Sequence, residues 1–508
     1  MIFRRMLRRL ILGMAVSSAV LVHAQEEAKP ETRNPVITAG MMRYEEGNRI
    51  GVRDIYLRPA KEVANCNNRF FPTAGELVEG EGAAIYLRMN SEGFSRIQAI
   101  RQITMNDYDE RPLEKLSAPE IRALMCLNRS EMKRFVYRSR AGWNYPLSEE
   151  PWMQVLLPDV QESRSYSRAM MAFSRASILE GDISQAEEWI LYTMGLAKHV
   201  GETPFMVTQL VAVANASMAL TAIEELIQHP QASNYYWDLA NLPRPLVNYT
   251  KTWQFESRMW ERTIPILSRL DEISSEEAWQ DVVVKVFQTI HEWQSEAFPE
   301  FHTPEGQTTW REWIALSREN LHRVAPELAG RMKSMSDAEI GIRYWWLRLQ
   351  QFENCENALS LEPYLALPRI DAAMREMQLA FEREPLMKMW ISPSVYVPSG
   401  MSHFVLLDQR IGMLRAIESI RDWSATHDGK LPASLNQLDL PIPLDIVNNR
   451  PFEWHLAADG TVGELSGALI EIVGFEPGPE RFAGWRYRIM QAPFDETGPA
   501  ETAPAVRP

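Results

Sequence analysis

The sequence predicts a mainly α-helical protein: an irregular bundle of many helices, followed by a small α+β module with one long helix and short antiparallel strands. Three observations predict it. Apolar residues recur at helical spacing through most of the chain, as in Tyr166, Ala169, Met170, Phe173 and Ala176. Helix-start and helix-stop residues punctuate those stripes. Alternation of period two, the signature of half-buried strands, is confined to the C-terminal end.

Met1 to Ala24 has a basic start with Arg4, Arg5, Arg8 and Arg9, an uncharged stretch from Leu10 to Val22, and Val22-His23-Ala24 before Gln25. These are the three parts of a secretory signal peptide. The uncharged stretch is about 13 residues against the roughly 20 that a membrane-spanning helix needs, so cleavage after Ala24 is expected rather than an anchor. Without a cysteine at the cleavage point to carry a lipid, the mature chain is expected to be periplasmic or secreted, with no transmembrane segment.

Residues 25–47 are polar, carry Pro30 and Pro35, and read as an exposed lead-in. A helical body is expected over 48–398, irregular at first to about Thr73. Ser117-Ala118-Pro119-Glu120 has the capping-box pattern with proline in the first turn, so a helix starts there. The stripe from Tyr166 to Ala176 and the next one, Ala186, Trp189, Ile190, Met194, Ala197 and Val200, form a helical hairpin, with Gly181 ending one helix and Asp182 capping the other. Thr203-Pro204 opens a third helix that is apolar on nearly every side through Val207, Leu210, Val211, Ala214 and Leu220, which places it mid-bundle. Gly181 and Ala186 match the spacing of a tetratricopeptide repeat, but no second copy follows, so a regular solenoid is not expected.

Further helices are expected over Leu246 to Ile290, broken near Pro265, and over Thr308 to Val324. Ser336-Asp337-Ala338-Glu339 opens one that carries Trp345, Trp346 and Leu349, and Pro363 and Pro368 precede one from Arg369 to Glu382. Pro393, Pro398 and Gly400 mark a boundary, and residues 399–490 form the α+β module. Its helix runs from about Ser402 to His427 with Phe404, Leu407, Ile411, Leu414, Ile417 and Ile420 on one face, and Gly429 stops it. Alternating runs at Pro451 to Leu456, Thr461 to Leu465 and Trp485 to Met490 supply the sheet. Residues 491–508 are rich in Pro, Ala, Thr and Glu and read as a disordered tail.

Lys and Arg number 53 against 67 Asp and Glu, a formal net charge of −14, and loss of the signal removes only arginines. No basic block follows, so a nucleic-acid partner is not expected. The three cysteines, Cys66, Cys126 and Cys355, do not make a disulfide framework. In an oxidising compartment Cys66 and Cys126 can bridge, closing a loop worth roughly 4 kcal/mol on the chain-entropy model; three separate buried thiols fit the sequence equally well.

His427-Asp428-Gly429-Lys430-Leu431-Pro432-Ala433-Ser434-Leu435, with Leu438, resembles the helix-to-turn element of type II secretion pseudopilins. The same element closes a family of exported, largely helical proteins of planctomycete-type bacteria. The chain resembles that family again at Glu81-Gly82-Ala83-Ala84-Ile85-Tyr86-Leu87-Arg88, at Trp143-Asn144-Tyr145-Pro146 and at Leu179-Glu180-Gly181-Asp182. The resemblance implies an exported helical protein and no catalytic assignment. In pseudopilins the following turn has Asp-Pro and a glycine and can hold calcium; here Ile446 follows Asp445 and Asn449 stands at the glycine.

Catalytic constellations fail at particular residues. His291-Glu292 would begin a zinc-peptidase helix if residue 295 were histidine, but it is Ser295. Gly93-Phe94-Ser95-Arg96 and Gly400-Met401-Ser402-His403 are broken at Ile97 and Phe404, where a nucleophile elbow needs glycine. Ser130-Glu131-Met132-Lys133 has serine–lysine spacing, yet Lys251-Thr252 is followed by Trp253 instead of glycine. No catalytic, metal or cofactor residues are therefore assigned, and no cofactor is expected. Trp253, Glu256 and Trp260 remain as ligand candidates: at i, i+3 and i+7 they share one helix face, with Glu261 beside them. Helical-barrel glycosidases set tryptophan platforms around a general acid in that way. A core stripe with Glu256 paired to an arginine is the competing explanation. The function expected is that of a non-catalytic binding or scaffold protein of the cell envelope, its partner an envelope protein or polysaccharide; a carbohydrate-active enzyme of the helical-barrel type is the alternative.

Overall fold

Ile50–Leu57 joins the two ends of the chain. The computed structural model describes residues 43–45, 50–60, 64–65, 67, 69–91, 94–143, 158–294, 298–384, 397–470 and 483–491. The expected signal peptide, nearly all of the expected lead-in, Cys66 and residues 492–508 lie outside these residues. The fold is mainly helical, with a small sheet of short strands.

Strands β1 (Arg43–Glu45), β2 (Ile50–Leu57) and β3 (Val78–Glu81) lead into helices α1 (Ala83–Ser91), α2 (Phe94–Met105), α3 (Ala118–Ala123) and α4 (Arg129–Val136), and then β4 (Arg138–Arg140) pairs with β3. Three long helices make the centre: α5 (Pro158–Glu180), α6 (Ile183–Val200) and α7 (Met206–Leu226). At the α5–α6 turn Gly181 has φ +74, a left-handed conformation that strains any residue with a Cβ. Asp182 accepts the Gln185 N–H at 3.1 Å. Helix α7 is long and apolar enough to cross a membrane, yet its residues pack against α5 and α6, with Val211, Ala216, Leu220 and Ile223 fully buried.

Helices α8 (Tyr236–Ala240), α9 (Tyr249–Glu256), α10 (Met259–Thr263), α11 (Glu276–Gln294), α12 (Pro304–Val324), α13 (Asp337–Glu353) and α14 (Pro363–Arg383) complete the body. The sequence places breaks at Pro363 and Pro368, but α14 begins at the first and runs through the second. Pro363 takes the first helical position, where its missing N–H costs nothing, and Pro368 lies on the exposed side, where water can satisfy the freed carbonyl.

Helix α15 (Val397–Ala425) is not the one-faced helix its pattern suggests. Phe404, Leu407, Ile411, Leu414, Ile417 and Ile420 are buried, and so are Val405, Met413 and Ala416 on other sides, with Gln409, Arg410, Glu418 and Arg421 buried among them. It is enclosed by α7 and α8 together with the sheet, and the buried polar residues are tolerated because partners surround them. At its end Gly429 has φ +74 and donates to the Ser424 carbonyl at 3.0 Å.

Strands β5 (Glu453–Leu456), β6 (Val462–Ser466) and β7 (Gly484–Gln491) form where the alternation indicates, but the sheet is mixed rather than antiparallel. Its order is β1-β2-β7-β6-β5, and β2 runs parallel to β7, with Ile50 opposite Gly484 and Leu57 opposite Gln491. The short edge strands β1 and β5 leave little exposed ladder for unwanted pairing. Buried apolar residues are continuous across the junction near residue 398. Ile55 and Leu57, the central helices, α15 and Tyr487 all belong to one contiguous apolar cluster.

Candidate functional site

Trp253 and Glu256 end helix α9, and the chain turns at Ser257–Arg258 before Trp260 begins anew on α10. The spacing suggests one helix face, but the three residues stand on two short helices. Trp253 is 5% exposed and Trp260 1%, and Trp260 packs edge-on to Trp345 with ring centroids 4.7 Å apart. Neither indole is a platform open to a sugar.

The Glu256 carboxylate accepts the Met206 backbone N–H at 2.7 Å. Met206 is the first residue of α7, whose N-terminal N–H groups lack partners within the helix, and the preceding Phe205 has no side-chain oxygen to offer. Glu256 thus supplies from another helix the acceptor that a capping side chain would provide, at the positive end of the α7 dipole. Its partner is a backbone amide and not the arginine expected of a core carboxylate. Burial pushes its carboxyl up to about 7, partly offset by the Met206 N–H.

A second carboxyl behaves similarly. Asp408 on α15 is pushed up to about 7 by burial, with the Arg244 charge opposing. Tyr249, at the start of α9, is raised to about 12 by burial and then by the charges of Asp408 and Glu362. Nearby, Arg415 donates to the Tyr236 hydroxyl at 3.1 Å and lies over its ring. Carboxyls raised by burial in this way have the acidity that general-acid catalysis uses. The sequence reading missed Asp408, since nothing in the local pattern distinguishes it from an outward-facing acid.

The other buried charges are engaged in structural contacts. Glu224 takes Arg410 at 2.7 Å, Arg53 at 3.0 Å and the Tyr487 hydroxyl at 2.5 Å, joining α7, α15, β2 and β7. Arg410 also donates to Ser217 O and Thr221 Oγ1 and stacks over Trp485. Glu418 pairs with Arg421 at 2.8 Å and accepts the Tyr235 N–H at 2.9 Å, while Arg421 reaches carbonyls of Arg58, Ala232 and Ser233. Arg175 and Glu225 pair at 2.8 Å.

In the pseudopilin-like turn, Asp445 is buried. Its carboxylate receives the Gln409 amide at 3.0 Å, the Val447 N–H at 2.9 Å and the Ala468 N–H at 2.6 Å. These donors fill with hydrogens the space a calcium ion would need. Asn449 has φ +56, the conformation for which glycine is the usual choice. The other segments that carry the resemblance also serve as joints. A Cβ on Gly82 would meet the Phe135 ring at 3.1 Å, and Trp143 donates to His199 O at 2.8 Å. Asn144, Tyr145 and Pro146 lie outside the described residues.

A concavity of about 610 Å³ opens between α2 and α5. Met89, Ile97, Ile100 and Met105 form its apolar part, with Arg96 and Arg101 on one wall and Asp159 and Glu162 on the other. Met105 is 82% exposed at its mouth. Arg96 is held by Met89 O at 2.7 Å and Glu131 at 3.4 Å, whereas Arg101 is exposed. Glu256, at the end of α9, does not line this groove. Cys126 near Arg96 carries a free, half-buried thiol, pushed up to about 11 by burial. Among the described residues no cluster of three His, Cys, Asp or Glu side chains could hold a metal ion.

No family model, no curated protein and no solved structure matches the chain.

Proposed function

We propose that this chain is an exported cell-envelope protein that works by binding rather than by catalysis. The observation that carries the reading is the hydrogen bond from Met206 N–H to Glu256, because it gives the sequence's best catalytic candidate a structural task. Trp253 and Trp260 are buried, so the tryptophans that suggest a glycosidase belong to the core. The α2–α5 groove is the corresponding binding surface. Its floor is apolar and its walls carry opposite charges, a composition suited to an amphipathic segment of an envelope protein or to a polysaccharide.

A photo-crosslinking residue at Met105, incorporated in the exported protein, tests this. Adducts to one envelope component are expected there and absent at the exposed Trp237, with loss on Arg101→Glu. Equal labelling at both positions would remove the groove from the account. The enzyme alternative keeps one supporting observation, that burial raises the Glu256 and Asp408 carboxyls each to about 7. Hydrolysis of an envelope polysaccharide, abolished by Asp408→Asn in a folded protein, would favour it.

A further inference from the structure

The outward face of α14 has a charge pattern that its own helix cannot use. Glu362, just before the first turn, and Arg369, Glu376 and Arg383 follow one another at seven-residue intervals with alternating sign, and all four are exposed. Successive members of this row lie about 10 Å apart along the helix, beyond pairing distance, since helical ion pairs form at three or four residues. Asp371 and Arg375, by contrast, are four apart and pair at 2.9 Å. Beside the charged row runs a second one, Leu365, Ala372 and Leu379, offset by three and four residues. Leu365 is 40% exposed and Leu379 51%.

We infer that this face of α14 is a self-association surface, and that its occupant is the same face of a second copy, laid antiparallel across a two-fold axis near Ala372. Charge complementarity selects this occupant. In that register Arg369 lies opposite the partner's Glu376 and Glu362 opposite the partner's Arg383. Symmetry repeats both pairs, giving four ion pairs from a row that makes none with the described residues of its own chain, where Arg369 donates only to the Leu365 carbonyl at 3.0 Å. Leu365 falls beside the partner's Leu379, and Ala372, the smallest side chain of the row, lies at the axis where the helices approach most closely. A parallel arrangement in register would set each charge against its like. The contact is a single helix face, below the area of a stable obligate dimer, so the association is concentration-dependent.

Sedimentation velocity on the full mature chain over a concentration series tests it. Wild type is expected to shift from monomer toward dimer as concentration rises, and Leu379→Lys to remain monomeric. Arg369→Glu alone and Glu376→Arg alone should each weaken association roughly tenfold, because each reverses two symmetry-related pairs. The double variant Arg369→Glu, Glu376→Arg should restore it. These positions are exposed, and unchanged far-ultraviolet dichroism would establish that the variants fold. A wild type that stays monomeric throughout, or a double variant as weak as the singles, would overturn the inference.

Discussion

The Glu224 carboxylate and the Arg410 guanidinium lie 2.7 Å apart with side chains only 1% and 2% exposed, and they tie the middle of the chain to its last long helix. Removing one member of a buried pair leaves the other charged and unsolvated. Glu224→Ala, which also strands Arg53, is therefore expected to destabilise by about 3–5 kcal/mol. Urea denaturation followed by tryptophan fluorescence measures it. A loss below about 1 kcal/mol, the size of an exposed pair, would contradict the assignment.

The same pair predicts how the sheet and the bundle unfold. Helix α15 contributes to a core shared with α7, and β7 depends on β2 for one of its ladders. One calorimetric transition is expected for the whole chain, and an isolated fragment of residues 399–490 should not melt cooperatively. Two resolved transitions, or a folded fragment, would place the boundary near 398 back between separate units.

Asp408 sets a pH dependence. Its carboxyl has an ordinary value of 3.8 and stands at about 7 in the folded protein. Below the ordinary value the group is protonated in both states and contributes nothing. Between the two values only the unfolded chain ionises, so stability falls as pH rises, and above the folded value the penalty is complete. Asp408→Asn should match wild type near pH 4 and exceed it near pH 8. Part of the Asp408 residue reaches solvent, which makes the gain smaller than the full shift implies. Urea midpoints at the two pH values decide it; an Asn variant less stable at the higher pH would show that the ionised carboxylate is needed.

Cys126 should be slow to alkylate. Burial raises its thiol to about 11, so little thiolate exists near neutral pH. Iodoacetamide at pH 8 is expected to label it only after denaturation, as read by intact mass. Rapid labelling of the native chain at Cys126 would contradict this.

The helical framework was legible because its signals are local. Gly181, Asp182 and Gly429 announce their turns, and the stripes on α5 and α6 have one periodicity each. Strand β2 was not legible, because its buried residues Ile50 and Val52 change phase to Ile55 and Leu57, and the slip hides a period of two. Its partner β7 lies at the other end of the chain, a separation that local pattern cannot bridge. The polar residues of α15 were not legible for another reason: Arg410, Glu418 and Arg421 sit within the apolar stripe, and their partners on α7, β7 and the Ala232–Tyr235 segment are distant in sequence. Trp253, Glu256 and Trp260 were found by their residue types, but the turn at Ser257–Arg258, which decides what they do, has no proline or glycine to mark it.

Glu256 offers the most direct test of whether this is a binding protein. Wild type, Glu256→Gln, Glu256→Ala and Trp253→Ala would be assayed together for new reducing ends from envelope polysaccharides and for thermal stability. The structural role predicts no hydrolysis by wild type. It also predicts near-wild-type melting for Glu256→Gln, which retains an oxygen to accept the Met206 N–H, and a loss of about 1 kcal/mol for Glu256→Ala, the usual size of a lost helix cap. Hydrolysis by wild type that disappears in Glu256→Gln while its melting is unchanged would contradict the account and make Glu256 a catalytic acid.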